Sequence, residues 1–357
     1  MFTRSVKAFA WRALSLPIGV VLTDHVGFAV SPVDGQDAWV CAPTSAGGFT
    51  VWATQNAAAT WQQMGTLAPV TPEPVDTCGL LADQNDPRAL VAEFVWGSGE
   101  AGTLRSMTLA SSDAGAHWHR LPGTVQTMEI GTQAGITYAI LMDTSATPNQ
   151  QMPGVAISTD DLRSWHLARP PGLAPHDSFF QFWLVPTGIT LLGATYQGTL
   201  WQTADAGTTW ARVNTPDTQT SLGAWLPQQH RWELCGWVVT PALRLQCSLD
   251  LGQTWQTHPL LSFTTSCATC DKGKPYSFTQ PCFPDTLTPD GSLLAFCPIG
   301  DGSDQPAPCA VYRLALGAAA WSQYGTSPAG LVTVPATGPV WSVNPQQGTL
   351  MTAMLPW

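Results

Sequence analysis

Four carboxylates stand in or beside apolar segments of the chain: Glu93 in LVAEFVW, Glu129 in QTMEIGT, Asp143 in ILMDTSA and Glu233 in RWELCGW. Two such groups held about 5–10 Å apart can hydrolyse a glycosidic bond, one giving a proton while the other serves as base or nucleophile. Burial raises a carboxyl pKa and suits it to acid–base work near neutral pH. The same residues also fit a quieter role as hydrogen-bond or ion-pair partners between neighbouring sheets. Glu129 and Glu233 are the leading catalytic candidates, with Glu93 and Asp143 behind them. His117, His119 and His166 flank tryptophans, and His25, His176, His230 and His258 fall in turn or loop segments. No H-E-x-x-H spacing, G-x-S-x-G elbow or phosphate-cradling loop appears. No cofactor and no metal is expected.

Cysteines supply a second kind of chemistry. Cys235 and Cys247 are symmetric about Pro241, in two strand-like segments joined by Thr-Pro-Ala. Residues equidistant from a hairpin centre face each other, within reach of a disulfide. Cys297 and Cys309 are symmetric about Ser303 in the same way, and Cys41 and Cys78 offer a third bridge. Cys267, Cys270 and Cys282 contain a C-x-x-C that suggests zinc, yet no fourth ligand lies at a finger-like distance. A disulfide plus one remaining thiol is the expectation there, with the pairing open. Nine cysteines so arranged favour an oxidising, extracytoplasmic setting.

These groups sit in a chain of 357 residues, 44% hydrophobic and 11% charged, with a net charge of −10. Globular domains carry about 25% charged residues, so ionic surface is scarce here. The aromatic content excludes disorder, and scattered glycine and proline exclude collagen. Three lysines and eleven arginines cannot build the basic stripe that nucleic acid requires. Arg4, Lys7 and Arg12 precede the run ALSLPIGVVL, but a proline and the lack of a small-residue cleavage site leave no evident signal or anchor. No apolar stretch is long enough to span a bilayer.

Internal repetition organises the whole chain. STDDLRSW (Ser158–Trp165), TADAGTTW (Thr203–Trp210) and SLDLGQTW (Ser248–Trp255) recur at steps of 45 residues, and SSDAGAHW (Ser111–Trp118) lies 47 earlier. Worn copies end at Trp61 and Trp321, and Trp11 has similar surroundings. The pattern S/T-x-D-x-G-x-T-W predicts a tight hairpin turn. Asp113, Asp160, Asp205 and Asp250 would accept backbone N–H groups, the glycine would take positive φ, and the tryptophan would start the next strand. Strand and turn signals alternate throughout, and helical periodicity is absent.

A period of about 45 residues with four short strands is the spacing of a propeller blade. The motif resembles the Asp-box, or BNR repeat, of sialidases, sortilin-type receptors, xyloglucan hydrolases and the photosystem II assembly propeller. The resemblance implies an all-β propeller, and closing tryptophans at 11, 61, 118, 165, 210, 255 and 321 predict seven blades, with six the alternative, in one domain, residues 1–357, closed by strands from both termini. A cysteine-containing loop insertion is expected at about 258–284. The resemblance also implies that the motif aspartates are structural.

Sialidases of this family use three arginines, a Tyr/Glu pair and an acidic proton donor, with an Arg-Ile-Pro-like motif ahead of the first Asp-box. Here Arg120-Leu121-Pro122 follows an intact motif instead, and no arginine triad is singled out by spacing. The leading expectation is a module that recognises a glycan or a protein through one face of the disc. A glycoside hydrolase using channel carboxylates is the alternative, and an assembly or scaffold factor a third. Trp96, Trp183, Trp225 and Trp232 lie outside the repeat and are the candidate binding aromatics.

Overall fold

The structure, a computed structural model, describes residues 10–21, 23, 26–44, 48–67, 77–96, 105–123, 125–143, 150–185, 188–215, 218–226, 228–238, 243–271, 274–288, 290–298, 309–328, 331–344 and 349–354. Among these it is all-β, a seven-bladed β-propeller. Each blade is an antiparallel sheet, and in the first six the four blade strands pair in chain order. The first two blades run Gly27–Val30, Ala38–Pro43, Phe49–Thr54, Gln62–Leu67 and Thr77–Ala82, Leu90–Trp96, Arg105–Ser111, His119–Arg120. The third begins at Val125–Gln133, the fourth at Phe179–Leu184, the fifth at Thr218–Leu226 and the sixth at Pro284–Leu287. The seventh combines Leu331–Thr333, Val340–Asn344 and Thr349–Ala353 with Arg12–Ala13, so both ends of the chain supply it. Two compact units divide the blades. Ser15–Val213 with Pro335–Gly338 hold the first four, and Asn214–Val334 with Pro339–Trp357 and Met1–Leu14 hold the other three.

Middle strands are buried on both faces, which explains their unbroken apolar runs. Ala38, Trp39, Val40, Cys41 and Ala42 are all buried in succession, as expected of a sheet covered on each side. Separate apolar clusters fill the gaps between consecutive blades within a unit. Trp39, Phe49, Phe94 and Met107 join the first and second, while Tyr138, Ile140, Phe179 and Phe182 join the third and fourth. The Cys41–Cys78 disulfide lies inside the first of these clusters and crosses from blade to blade.

The repeated turn connects the third strand to the fourth in each copy, and every motif tryptophan immediately precedes a fourth strand, from Trp11 before Arg12 to Trp321 before Ser322. In the turn from Thr203, Asp205 Oδ1 accepts the Thr209 N–H at 2.8 Å and Oδ2 accepts the Thr209 hydroxyl at 2.6 Å. The Thr203 hydroxyl donates to Asp205 Oδ1 and accepts the Gly207 N–H. Asp113, Asp160 and Asp250 repeat the arrangement. Asn56 keeps it in the worn copy, accepting the Thr60 N–H at 2.9 Å.

Two consecutive residues take positive φ in the turns before Trp61, Trp118, Trp165, Trp210 and Trp255, such as Ala206 at 52° and Gly207 at 78°. Leu162 occupies the glycine position at φ 62°, a conformation that costs a side-chain-bearing residue about 1 kcal/mol. Its side chain is 1% exposed and packs with Val91, Leu121 and Leu141, which offsets the strain. That turn is also the one whose tryptophan, Trp165, has no hydrogen-bond partner for Nε1. Trp118, Trp210 and Trp255 instead donate to the carbonyl of their own turn glycine, at 2.9, 3.0 and 3.1 Å.

Two cysteine expectations meet the structure differently. Cys235 faces Cys247 in register and is bonded to it. Cys297 and Cys309 do not face each other, because the register pairs Cys297 with Ala310 and Pro298 with Cys309. That one-residue offset sends the two side chains to opposite faces of the sheet. Cys297 bonds Cys282 instead, with a Cα–Cα distance of 5.6 Å. Cys282 thereby leaves the C-x-x-C group, and the side chains of Cys267 and Cys270 lie outside the described residues, as do the turn around Pro241 and the loop around Ser303. The inserted segment is an antiparallel hairpin, Leu261–Asp271 with Lys274–Cys282, and the bridge ties its end to the sixth blade.

A Cβ added at Gly207 would lie 2.5 Å from Ala168 Cβ and 2.6 Å from Ile157 Cδ1, on a backbone at φ +78°. Gly207→Ala is expected to destabilise the fold by about 2–4 kcal/mol, through strain and overpacking together. Gly172, at φ +86° with nothing within 4 Å, should cost only about 1 kcal/mol on the same change. Chemical denaturation of both variants checks the difference.

Candidate functional site

The innermost strand of a blade has one edge without a partner in its own sheet, so its N–H groups need acceptors from elsewhere. Side chains of the preceding blade supply them across blades two to four. Glu93, on the second strand of the second blade, accepts the Thr127 N–H of the third blade at 2.5 Å, and its other oxygen accepts Gln126 Nε2 at 2.9 Å. Glu129 of the third blade accepts the Phe182 N–H of the fourth at 2.8 Å and a hydrogen bond from Gln84. Gln84 also donates to the Phe182 carbonyl at 3.0 Å. Asp83, fully buried, accepts the Thr132 N–H and hydroxyl at 2.8 and 2.7 Å. The result is a belt of carboxylates and one amide along the inner-strand edges of the third and fourth blades.

Inner strands of the third to sixth blades each carry one extra residue relative to their neighbour: Met128, Phe180, Ser221 and Asp285. Such bulges break the ladder and re-aim the following side chain. Glu129 directly follows one of them. Met128 is left 40% exposed, and Phe180 packs against the half-exposed ring of Tyr196, centroids 5.4 Å apart.

Burial, the larger influence in each case, pushes the Glu93 carboxyl up to about 7 and Glu129 up to about 8, against the donors that pull both downwards. Glu233 is 3% exposed and is likewise pushed up to about 8 by burial, with Arg231 lowering and Asp290 raising it further. Its Oε2 has no hydrogen-bond partner. Glu129 and Glu233 belong to different compact units. Asp143 ends the second strand of the third blade, and its side chain lies outside the described residues. By contrast, hydrogen bonds from Ser164, on side chain and backbone, hold Asp160 down at about 2, as its place in a turn requires.

Aromatic candidates are mostly internal. Trp183 and Trp232 are 8% and 3% exposed, and leave little ring surface for a ligand. Trp225 is half-buried and meets its cross-strand partner Trp232 edge-on, centroids 5.7 Å apart. The physical reason is that both faces of a blade are covered, so period-two alternation gives no solvent face for these rings. The Trp96 side chain lies outside the described residues. His117 and His119 do not converge, since His117 contacts Asp113 and His119 contacts the Asp161 carbonyl.

A cavity of about 340 Å³ opens between the first and second blades. Trp39 and Met64 give it apolar surface, while Asp37, Gln55, Gln62 and Arg88 line it with acceptors and donors. Burial, then the neighbouring Asp34 charge, raises the Asp37 carboxyl. Arg88 reaches Asp86 at 3.2 Å with most of its side chain in solvent. None of Glu93, Glu129 and Glu233 lines this cavity. Arg88 and Asp37 escaped sequence reasoning because nothing in their spacing marks them. Only the packing of two blades brings them together.

No protein-family model matches the chain, and no curated protein matches it. Solved structures do. A structure of YCF48 bound to D1 peptide aligns with TM-score 0.51 and 13% identity, over 98% of this chain and 99% of that one. An oligogalacturonate lyase from Vibrio parahaemolyticus aligns with TM-score 0.52 and 9% identity, over 97% of each chain. YCF48 from Cyanidioschyzon merolae aligns with TM-score 0.49 and 12% identity, over 96% and 98%. At these identities the likeness is one of fold, and the chain belongs by architecture among the β-propellers.

The raised carboxyls have a pH consequence. In the folded state Glu93, Glu129 and Glu233 hold protons that the unfolded chain releases near pH 4.5. Their favourable contribution is therefore complete below that pH and is lost as pH rises through about 7–8. Thermal melts are expected to show stability falling from pH 5 to pH 9. Glu129→Gln should flatten that fall, although its amide nitrogen faces a donor and lowers the melting temperature at acid pH.

Proposed function

We propose that this chain is an Asp-box β-propeller that recognises a partner molecule rather than transforming one, in an extracytoplasmic setting. The observation that carries this reading is the employment of its buried carboxylates. Glu93 and Glu129 are consumed by N–H groups of the adjacent blade, and the cavity between the first and second blades is lined by other residues. The repeated Asp–Ser/Thr turn supports the Asp-box assignment, with four aspartates in one hydrogen-bonding role. Three disulfides support an oxidising compartment. No helix among the described residues is long and apolar enough to cross a membrane.

The cavity between the first and second blades is the favoured recognition site. Its mixture of an indole, a carboxyl, amides and a guanidinium matches a polar side chain or short peptide segment, and equally the hydroxyls of a sugar. A peptide is the preferred class, because a similarly folded propeller is seen with a peptide bound. The second reading, a glycoside hydrolase, draws on either Glu129 or Glu233, each of whose carboxyls stays protonated to about 8. An assembly or scaffold role is compatible with the same cavity.

Peptide and glycan arrays read for both retention and cleavage separate these readings. Retention without cleavage is expected, weakened about tenfold or more, about 1.4 kcal/mol, by Asp37→Asn or Arg88→Ala. Glu129→Gln should leave retention unchanged. Cleavage abolished by Glu129→Gln or Glu233→Gln, with folding intact, would replace recognition by hydrolysis.

A further inference from the structure

Glu233 and Cys235 are two apart on the fifth-blade strand Arg231–Val238, so their side chains leave the same face. Cys247 on the next strand, Arg244–Ser248, is the direct cross-strand partner of Cys235. The topology thus gathers one carboxylate and two sulfurs on one face, and a carboxylate oxygen and both Sγ atoms lie within 4.8 Å of one another. All three residues are at most 4% exposed. Oε2 of Glu233 has no hydrogen-bond partner, an uncommon state for a buried polar atom. Gly291 of the sixth blade closes over this oxygen, where a Cβ would lie only 2.8 Å away.

As a disulfide the two sulfurs are poor ligands. We propose that, once the Cys235–Cys247 bond is reduced, Glu233, Cys235 and Cys247 bind a thiophilic divalent metal ion of the zinc type. A dithiol reductant supplies two electrons and two protons, becoming a disulfide itself while Cys235 and Cys247 become thiols. The ion then displaces both thiol protons and the carboxyl proton, and a water molecule fills the fourth tetrahedral position. Zinc–sulfur bonds of about 2.3 Å place two thiolates about 3.7 Å apart in a tetrahedron, a separation that facing strand residues can span. Carboxylate oxygen is the accepted third ligand type, with thiolates setting the preference for a soft or borderline ion. A small-molecule disulfide reverses the sequence: it takes two electrons from the thiolates and two protons from water to become two thiols, while Cys235 and Cys247 rejoin, Glu233 regains its proton and the ion leaves, so the blade holds either a disulfide or a metal. This site is independent of the recognition cavity, which lies in the other unit.

The test reduces the purified full chain anaerobically with a phosphine, removes it, and titrates with Co²⁺. The oxidised chain is expected to show no thiolate-to-cobalt charge-transfer absorption. The reduced chain should bind one ion more than the reduced Cys235→Ser, Cys247→Ser double variant, and Glu233→Gln should weaken that binding at least tenfold. In the reduced wild-type chain, Zn²⁺ should protect Cys235 and Cys247 from alkylation, read by peptide mass spectrometry. This last measurement needs no variant to fold. Equal alkylation of both cysteines with and without Zn²⁺ overturns the proposal. So does cobalt binding indifferent to Glu233→Gln, or loss of β-structure by circular dichroism on reduction, since the site requires the paired strands.

Discussion

A four-stranded blade with apolar residues on both faces cannot bury either face alone. Everything else in this protein follows from that constraint. Trp39, Val40 and Cys41 point alternately to two sides of one sheet and are all buried, so each side must meet another blade. The sequence answers by repeating the same sheet about every 45 residues and by filling each gap with its own apolar cluster. Neighbour-on-neighbour packing also leaves the inner-strand edges open, and the Glu93, Glu129, Asp83 and Gln84 belt supplies partners to two of them, in the third and fourth blades.

The turn that carries the repeat solves a separate problem. In the well-kept copies two successive residues at positive φ bring the fourth strand back beside the third, and the Asp carboxylate with its Ser or Thr partner holds that backbone. The arrangement is tolerant at individual positions. Asn56 replaces the aspartate with the acceptor geometry retained, and Leu162 replaces the glycine because a fully buried side chain offsets its strain. Eroded copies therefore still fold as blades, and their tryptophans find other acceptors, as Trp61 does at the Ser15 carbonyl.

Function is constrained by the same economy of groups. A chain that is only 11% charged spends its buried carboxylates on holding blades together. Raised pKa values at Glu93 and Glu129 are then a by-product of burial between blades, and they resemble a catalytic signature without needing to be one. Glu233 differs, because a buried oxygen without a partner sits beside a disulfide, and its environment is incomplete in the oxidised chain.

By itself the sequence determined the blade, the period, the turn aspartates and the pairing of Cys235 with Cys247, because each depends on residues near one another in the chain. It also contained Glu93 and Glu129 as apolar-flanked carboxylates, but not their partners, which come from a different blade. Tertiary structure decided the rest. A one-residue register offset turned Cys309 away from Cys297 and gave Cys282 its place. Single-residue bulges set the aim of Glu129, and packing on both faces buried Trp183 and Trp232. The physical reason is the same in each case: register and facing in a sheet are settled by whichever neighbour covers it, and that neighbour is written tens of residues away.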